Sequence, residues 1–277
     1  MEKVKESSRH LPSEHGLLGQ TFRIKQLTKL GVKLGNWDYV VALAGNPNTG
    51  KSTVFNSLTG LRQHTGNWPG KTVNRAEGGY SFNKKSYKLV DLPGTYSLLS
   101  TSEDEEIARN FILFGQPDVT VIVADATRLE RNLNLTLQIM EITPNAVLCL
   151  NLMDEARRKG IQINTRKLEQ KLGIPVIATT ARYGEGIQEI LEAVEQIVTG
   201  DWTPKKNIDV SIPKELESSL YSVEKDLKVM YPSLPNTRWI ALRLLEGDER
   251  IIEALKNDEF RSEEHTSELQ TPDHLVC

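Results

Sequence analysis

The sequence predicts an α/β protein with a doubly wound, mostly parallel sheet, followed by a partial small all-α domain. Two observations carry this. From Tyr39 onward, short apolar runs alternate with helical stretches, and the runs are nearly continuous Val, Ile and Leu rather than alternating apolar and polar. Continuous apolar strands suit a parallel sheet covered on both faces. Beyond residue 200 the spacing is helical only, with Pro and Gly between segments.

Taken in order, residues 1–37 form a basic N-terminal extension. Its first 36 residues hold seven Lys/Arg against three acids and include "FRIKQLTKLGVKLG". It is expected to be mobile with one weak helix; a basic segment resting on an anionic membrane surface is the sharper alternative. Residues 38–200 carry five strand–helix pairs: "YVVALAG" with "KSTVFNSLTG", "YKLVDLPG" with "EDEEIARNFILFG", "DVTVIVAD" with "LNLTLQIMEIT", "AVLCLNLM" with "RKLEQKLG", and "PVIATTA" with "GIQEILEAVEQIV". The stretch "LRQHTGNWPGKTVNR" between the first helix and the next strand is read as one long connector, of the kind that is functional or disordered. Residues 201–260 hold three helical segments, too few to close a core alone. In residues 261–277, "RSEEHTSELQ" resembles the translation of a sequencing-adapter oligonucleotide, so this tail is set aside as an expected artefact. On that expectation the natural chain continues past the point where this sequence leaves it.

Composition narrows the function classes. The chain has 277 residues, 26% charged, with a net charge of −3, which disfavours a general nucleic-acid binder. Two cysteines cannot make a disulfide framework. No apolar run approaches the roughly 18 residues that span a bilayer, and no secretory signal is present. The chain as given is expected to be soluble.

Four motifs carry chemistry. "GNPNTGKST" matches G-x-x-x-x-G-K-S/T, follows the first strand and opens a helix. The turn of Gly45, Asn46, Pro47, Asn48, Thr49 and Gly50 would wrap phosphate oxygens at the positive end of a helix, its backbone N–H groups donating (Pro47 has none), continued by Lys51, Ser52 and Thr53. Lys51 would bring charge to the β- and γ-phosphates, and the Ser52 hydroxyl would bind Mg²⁺. "DLPG" ends a later strand; Asp91 would hold Mg²⁺ through a water, and the Gly94 amide would sense a γ-phosphate. "NLMD" places Asn151 and Asp154 at a strand end, where the Asp154 carboxylate can take two hydrogen bonds from a guanine edge that adenine lacks. "TTA" ends in Thr180 and Ala181, where a backbone amide can reach the guanine O6.

In this order, each at the carboxyl end of a strand, the motifs are the layout of a P-loop GTPase-type G domain that takes GTP or GDP. The connector then lies where the first switch belongs, with Thr72 closing over Mg²⁺ and the γ-phosphate. Lys51, Thr72 and Gly94 would act directly on phosphoryl transfer to water. "STSEDEEIARNF" would be the second switch, its acidic run being a favourable helix N-terminus.

"GNWPGKTV", with "GNPNTGKST", "DLPGTYSL" and "NLMD", resembles the G domain of ferrous iron transport protein B, from about Tyr39 to Gly200 and more loosely into the helical segment. The resemblance implies a GTP-hydrolysing cytoplasmic domain of a bacterial inner-membrane transporter, whose partners are its own membrane domain, Fe²⁺ as transported ion, and small accessory iron-transport proteins. It also implies that Asn48 coordinates a K⁺ ion beside the nucleotide, with backbone carbonyls near Trp68 to Gly70; a locally bonded turn residue is the plainer role for Asn48. Thr95 stands where small GTPases have glutamine, and Leu152 replaces the lysine of N-K-x-D, so slow turnover and quick nucleotide release are expected. Lys71 stands where the resemblance leads one to expect Val. The rival functions are a complete soluble GTPase of the ribosome-assembly or tRNA-modification kind, and a non-hydrolysing nucleotide sensor.

Overall fold

The structure, a computed structural model, describes residues 23–33, 35–60, 63–99, 102–203, 213–257 and 260. The first 22 residues of the extension and the 261–277 tail lie outside the described residues, so the expectations for them stay as stated. Residues 26–217 make one compact unit, and the helices from Ser218 onward belong to a second.

In the first unit, β1 (Tyr39–Gly45), β4 (Lys85–Asp91), β5 (Val119–Asp125), β6 (Ala146–Asn151) and β7 (Val176–Ala178) run parallel, in the spatial order β4-β1-β5-β6-β7. β2 (Gln63–Asn67) and β3 (Asn74–Phe82) extend the β4 edge as antiparallel strands, giving seven in all. The mostly parallel sheet follows from burial on both faces: every residue of β5 and β6 is buried, which is why those strands read as unbroken apolar runs.

On one face, Val41, Leu43, Val121 and Val147 pack with Val54 and Phe55 of α1 (Lys51–Thr59) and with Ile190 and Val194 of α6 (Ile187–Thr199). On the other, Val40, Ala42, Ile122 and Leu148 are buried as completely, and α3 (Leu129–Ile142) lies against β1, β5 and β6 with Leu135 and Ile139 inward. Helix α2 (Glu103–Gly115) contacts α3 and begins with Ser102, whose hydroxyl accepts from the Glu105 N–H at 3.3 Å. The acidic run is thus an ordinary charged first turn, as read. Short helices α4 (Met153–Arg158) and α5 (Thr165–Leu172) follow β6.

Two stretches differ from their sequence readings. The connector is not irregular throughout: its residues 63–67 pair with β3, Thr65 opposite Ala76, as an edge strand. The described side chains of this strand are exposed, so main-chain pairing rather than an apolar pattern makes it a strand. Residues 26–33, expected to be mobile, are instead packed. A helix over residues 23–29 ends at Gly31, whose φ of +77° lets its N–H reach the Thr28 carbonyl (2.9 Å) while the Val32 N–H reaches that of Leu27 (2.8 Å). This is a Schellman closure, with Leu27 and Val32 fully buried.

The three helical segments predicted after residue 200 are α7 (Lys214–Met230), α8 (Thr237–Leu245) and α9 (Glu249–Lys256). Leu220, Leu227, Trp239, Ile240 and Ile251 are buried, and Tyr231 meets Phe260 edge to face at 5.9 Å. Among the described residues no helix is long and apolar enough to cross a membrane.

Leu43, fully buried on the central strand, tests the packing of the sheet. Leu43→Ala should cost about 2–5 kcal/mol in urea unfolding. A loss under about 1 kcal/mol would mean the sheet centre is not close-packed.

Candidate functional site

Because five parallel strands lie side by side, the loops after β1, β4, β6 and β7 share one edge of the sheet, where open α/β folds bind ligands. β1 ends at Gly45, where a Cβ would stand 2.5 Å from the Val123 carbonyl oxygen. The following turn uses left-handed backbone at Asn48 (φ +64°) and Gly50 (φ +80°). Helix α1 then starts at Lys51 with no side-chain cap, leaving its first-turn N–H groups for an incoming anion. Thr49 is buried and its hydroxyl donates to the Asn46 carbonyl at 2.9 Å.

The Lys51 ammonium donates to a carboxylate oxygen of Asp91 and, at 2.7 Å, to the Leu92 carbonyl. Burial holds the Asp91 carboxyl above its ordinary value, against the pull of the Lys51 charge. The turn after Asp91 leans on the phosphate loop: a Cβ at Gly94 would stand 3.4 Å from Pro47, and the Thr95 N–H donates to the Gly45 carbonyl at 3.3 Å. Thr95 is buried, so the residue in the usual glutamine position faces the fold.

Asn151, also buried, ties three loops together. Its Nδ2 donates to the Thr49 carbonyl (3.0 Å), and its Oδ1 accepts from the Ala181 N–H (3.1 Å) and the Thr179 hydroxyl (3.3 Å). The Ala181 amide read as a reader of O6 serves this bond. Asp154 sits half-buried in the first turn of α4, 3.7 Å from the Arg158 guanidinium, after Leu152 turns the chain at φ +62°. Asn46 Nδ2 and Thr180 Oγ1 are buried with no hydrogen-bond partner among the described residues.

The loop that holds Thr72 is anchored by an aromatic. Trp68-Pro69-Gly70-Lys71 closes a turn with Lys71 N–H on the Trp68 carbonyl at 3.0 Å and Gly70 at φ +69°, the arrangement of a type II turn with Pro and Gly in its central places. The Trp68 ring is buried, edge-on to Phe111 at 5.7 Å and under the Arg75 guanidinium at 5.6 Å. Lys71 lies 3.4 Å from the carboxylates of both Glu103 and Glu106, linking the two expected switches. Neither the Trp68–Phe111 contact nor the Asn151 knot was read in the sequence, since each joins residues distant along the chain.

Lys51, Asp91, Gly94, Asn151, Thr179 and the Gly45–Gly50 turn are thus brought together. Thr72, Ser52, Thr53 and Asn48 are exposed, and no hydrogen bond among the described residues joins Thr72 to Ser52 or Asp91. Two hydroxyls and a carboxylate are hard oxygen donors of the type Mg²⁺ takes, and the Asn48 side chain is exposed, so its amide oxygen could face a monovalent cation. Among the described residues no group of three or more His, Cys, Asp or Glu is gathered for a metal.

Comparison with known proteins adds the following. Residues 39–194 match the profile of ferrous iron transport protein B, and residues 213–271 match that of the FeoB cytosolic helical domain, reaching into the tail set apart in the sequence. The Fe(2+) transporter FeoB of Escherichia coli K12 is 42% identical over 214 residues, covering 75% of this chain but only 27% of the relative. The crystal structure of the cytosolic domain of the T. maritima FeoB iron transporter in a GDP form aligns with a TM-score of 0.71 at 34% identity, covering 86% of this chain and 88% of that one. The GMPPNP form of that domain aligns with a TM-score of 0.70 at 35% identity, over 86% and 88% of the two chains. The chain spans about a quarter of the length of the curated relatives it matches.

The partly buried Asp91 carboxyl gives stability a pH dependence of definite sign. Its folded value is raised above 3.8, so the stability it contributes is full below that value and is lost as pH rises through the folded one. Asp91→Asn, a neutral mimic, should match the wild type in urea unfolding at about pH 4 and gain on it towards about pH 7. A variant that instead loses ground with rising pH would show that the Lys51 pairing outweighs burial.

Proposed function

The chain belongs to the ferrous iron transport protein B family, and on that premise we propose that it binds and hydrolyses GTP as the cytoplasmic part of a bacterial inner-membrane Fe²⁺ transporter. The observation that carries this reading is the convergence of four loops at the carboxyl ends of β1, β4, β6 and β7, with Lys51 already set on Asp91. That the cytosolic domain of the T. maritima relative is described in GDP and GMPPNP forms supports nucleotide binding.

Catalysis would be transfer of the γ-phosphoryl group to water, carried by positioning and charge. The phosphates would lie over the N–H groups from Asn48 to Ser52 at the head of α1. Lys51 would move from Asp91 to the β- and γ-phosphate oxygens, which present more negative charge. The Gly94 amide would report the γ-phosphate to the segment that follows. Asp154 would accept from the guanine N1–H and amino group, while Asn151 keeps the base loop in register with the phosphate loop. Ser52, Thr72 and Asp91 would hold Mg²⁺, which supplies charge neutralisation at the phosphates when bound. Asn48 would hold K⁺ at the place where other GTPases receive an arginine. The switching would drive or gate Fe²⁺ uptake by the membrane domain, with accessory iron-transport proteins as further partners.

A nucleotide sensor is the second reading, and one observation favours it. Thr95 is buried against the phosphate loop, so the position after Gly94 offers no side chain to order a water.

Turnover of GTP in KCl and in NaCl, with Mg²⁺ and with ATP as control, separates these. The expected result is GTP-selective turnover faster in K⁺ and reduced by Asn48→Ala, with Lys51→Ala lowering it by about 100-fold or more. Tight GTP binding with no turnover in either salt would replace the enzyme reading with the sensor.

A further inference from the structure

Upstream of β1 the chain crosses both segments expected to respond to nucleotide. Its Schellman closure presents Leu27, Leu30 and Val32 as a compact apolar end. That end rests on the last turn of α2: a Cβ at Gly115 would stand 3.2 Å from Leu27 and 3.4 Å from Leu30, and Phe111 is the next contact of that glycine. Phe111 is also the residue that meets the Trp68 ring. On the loop side, Pro69 approaches Gly31 so closely that a Cβ there would come within 2.8 Å of it.

Cations receive the carbonyl end of the short helix. Arg75, which covers the Trp68 ring, donates to the Leu30 carbonyl at 3.0 Å, where the helix dipole is negative. Lys88, nearly buried, donates to the Lys33 carbonyl at 2.7 Å. Both cations are paired with Glu77, at 3.0 and 2.6 Å, so one carboxylate fixes the two donors that grip residues 30 and 33. A small cavity is shared by Lys29 and Leu30 with Trp68 and Lys71 of the loop and Glu106 and Ile107 of α2.

We propose that residues 26–33 are an intramolecular strap that fastens the Trp68–Lys71 turn to α2 with Thr72 exposed, and so slows nucleotide turnover. This rests on the GTPase reading above. For Thr72 to reach the phosphates the turn must swing on Trp68, and Trp68 cannot leave Phe111 and Arg75 without loosening the contacts that hold the strap. Close-packed contacts of this kind rearrange between discrete arrangements rather than stretch. Whatever favours the closed switch therefore opposes the strap, and by linkage the strap opposes closure.

The test uses the full chain with two variants that attack opposite sides of the contact, Leu27→Glu on the strap and Gly115→Leu on α2, neither of them in the nucleotide loops. Hydrogen exchange of residues 68–75 without nucleotide reads the fastening itself; release of a fluorescent GDP analogue and GTP turnover read its consequence. Faster exchange together with about fivefold or greater acceleration of release and turnover is expected. Unchanged exchange in a folded variant would show that the strap does not hold the loop. Faster exchange with release and turnover unchanged or slower would show that it holds the loop without restraining it. Either result overturns the proposal. A wild type that neither binds nor turns over GTP would instead remove the functional reading, while the exchange measurement would still decide whether the strap fastens the turn.

Discussion

The buried amide of Asn151 is the joint on which the rest of the site depends. Three loops from three strands must hold a common geometry: Asn151 at the end of β6 takes the Thr49 carbonyl from the loop after β1, and the Thr179 hydroxyl and Ala181 N–H from the loop after β7. The position needs a donor and an acceptor on one planar group, which a carboxamide supplies and a carboxylate or hydroxyl does not. Gly50 is constrained in turn, because a Cβ there would press on Asn151 Nδ2. A buried donor or acceptor left without its partner costs about 1–3 kcal/mol, so the phosphate loop and the base loop are held in register by the penalty of separating them.

Charge is set on that frame. Asp91 is partly buried at a strand end, which raises its carboxyl above the ordinary value, and Lys51 sits against it. The pair is a compromise in which desolvation of the carboxylate is only partly offset by the ammonium.

What was legible in the sequence follows from where each residue's partners lie. β1, β5 and β6 are buried on both faces, so their apolar runs announced a parallel sheet without ambiguity. The phosphate loop was legible because its glycines answer local needs, a close carbonyl at Gly45 and a left-handed turn at Gly50. β2 was not legible, since its described side chains face solvent and its only cause is the open edge of β3. Residues 1–37 were read as a mobile extension with one weak helix; the packing of residues 26–33 was not legible, because the reversal at Gly31 that brings Leu27, Leu30 and Val32 onto one surface depends on partners distant along the chain. The bond from the Ala181 N–H to Asn151 was not legible, because its partner lies thirty positions away along the chain.

The two kinds of contact between the expected switches differ in character, and that difference sets how they can be uncoupled. Lys71 reaches Glu103 and Glu106 at 3.4 Å, but the lysine is a third exposed, and such pairs are worth about 0–1 kcal/mol and fade with salt. Trp68 against Phe111 is apolar and buried, indifferent to ionic strength, and held further by Arg75 across the ring. Pro69 and Gly70 fix the turn that aims the ring inward, so the sequence of this loop is dictated by its anchor as much as by Thr72. The coupling between the segments is therefore chiefly a packing coupling: it yields to displacement of the aromatic pair and hardly to screening of the charges beside it.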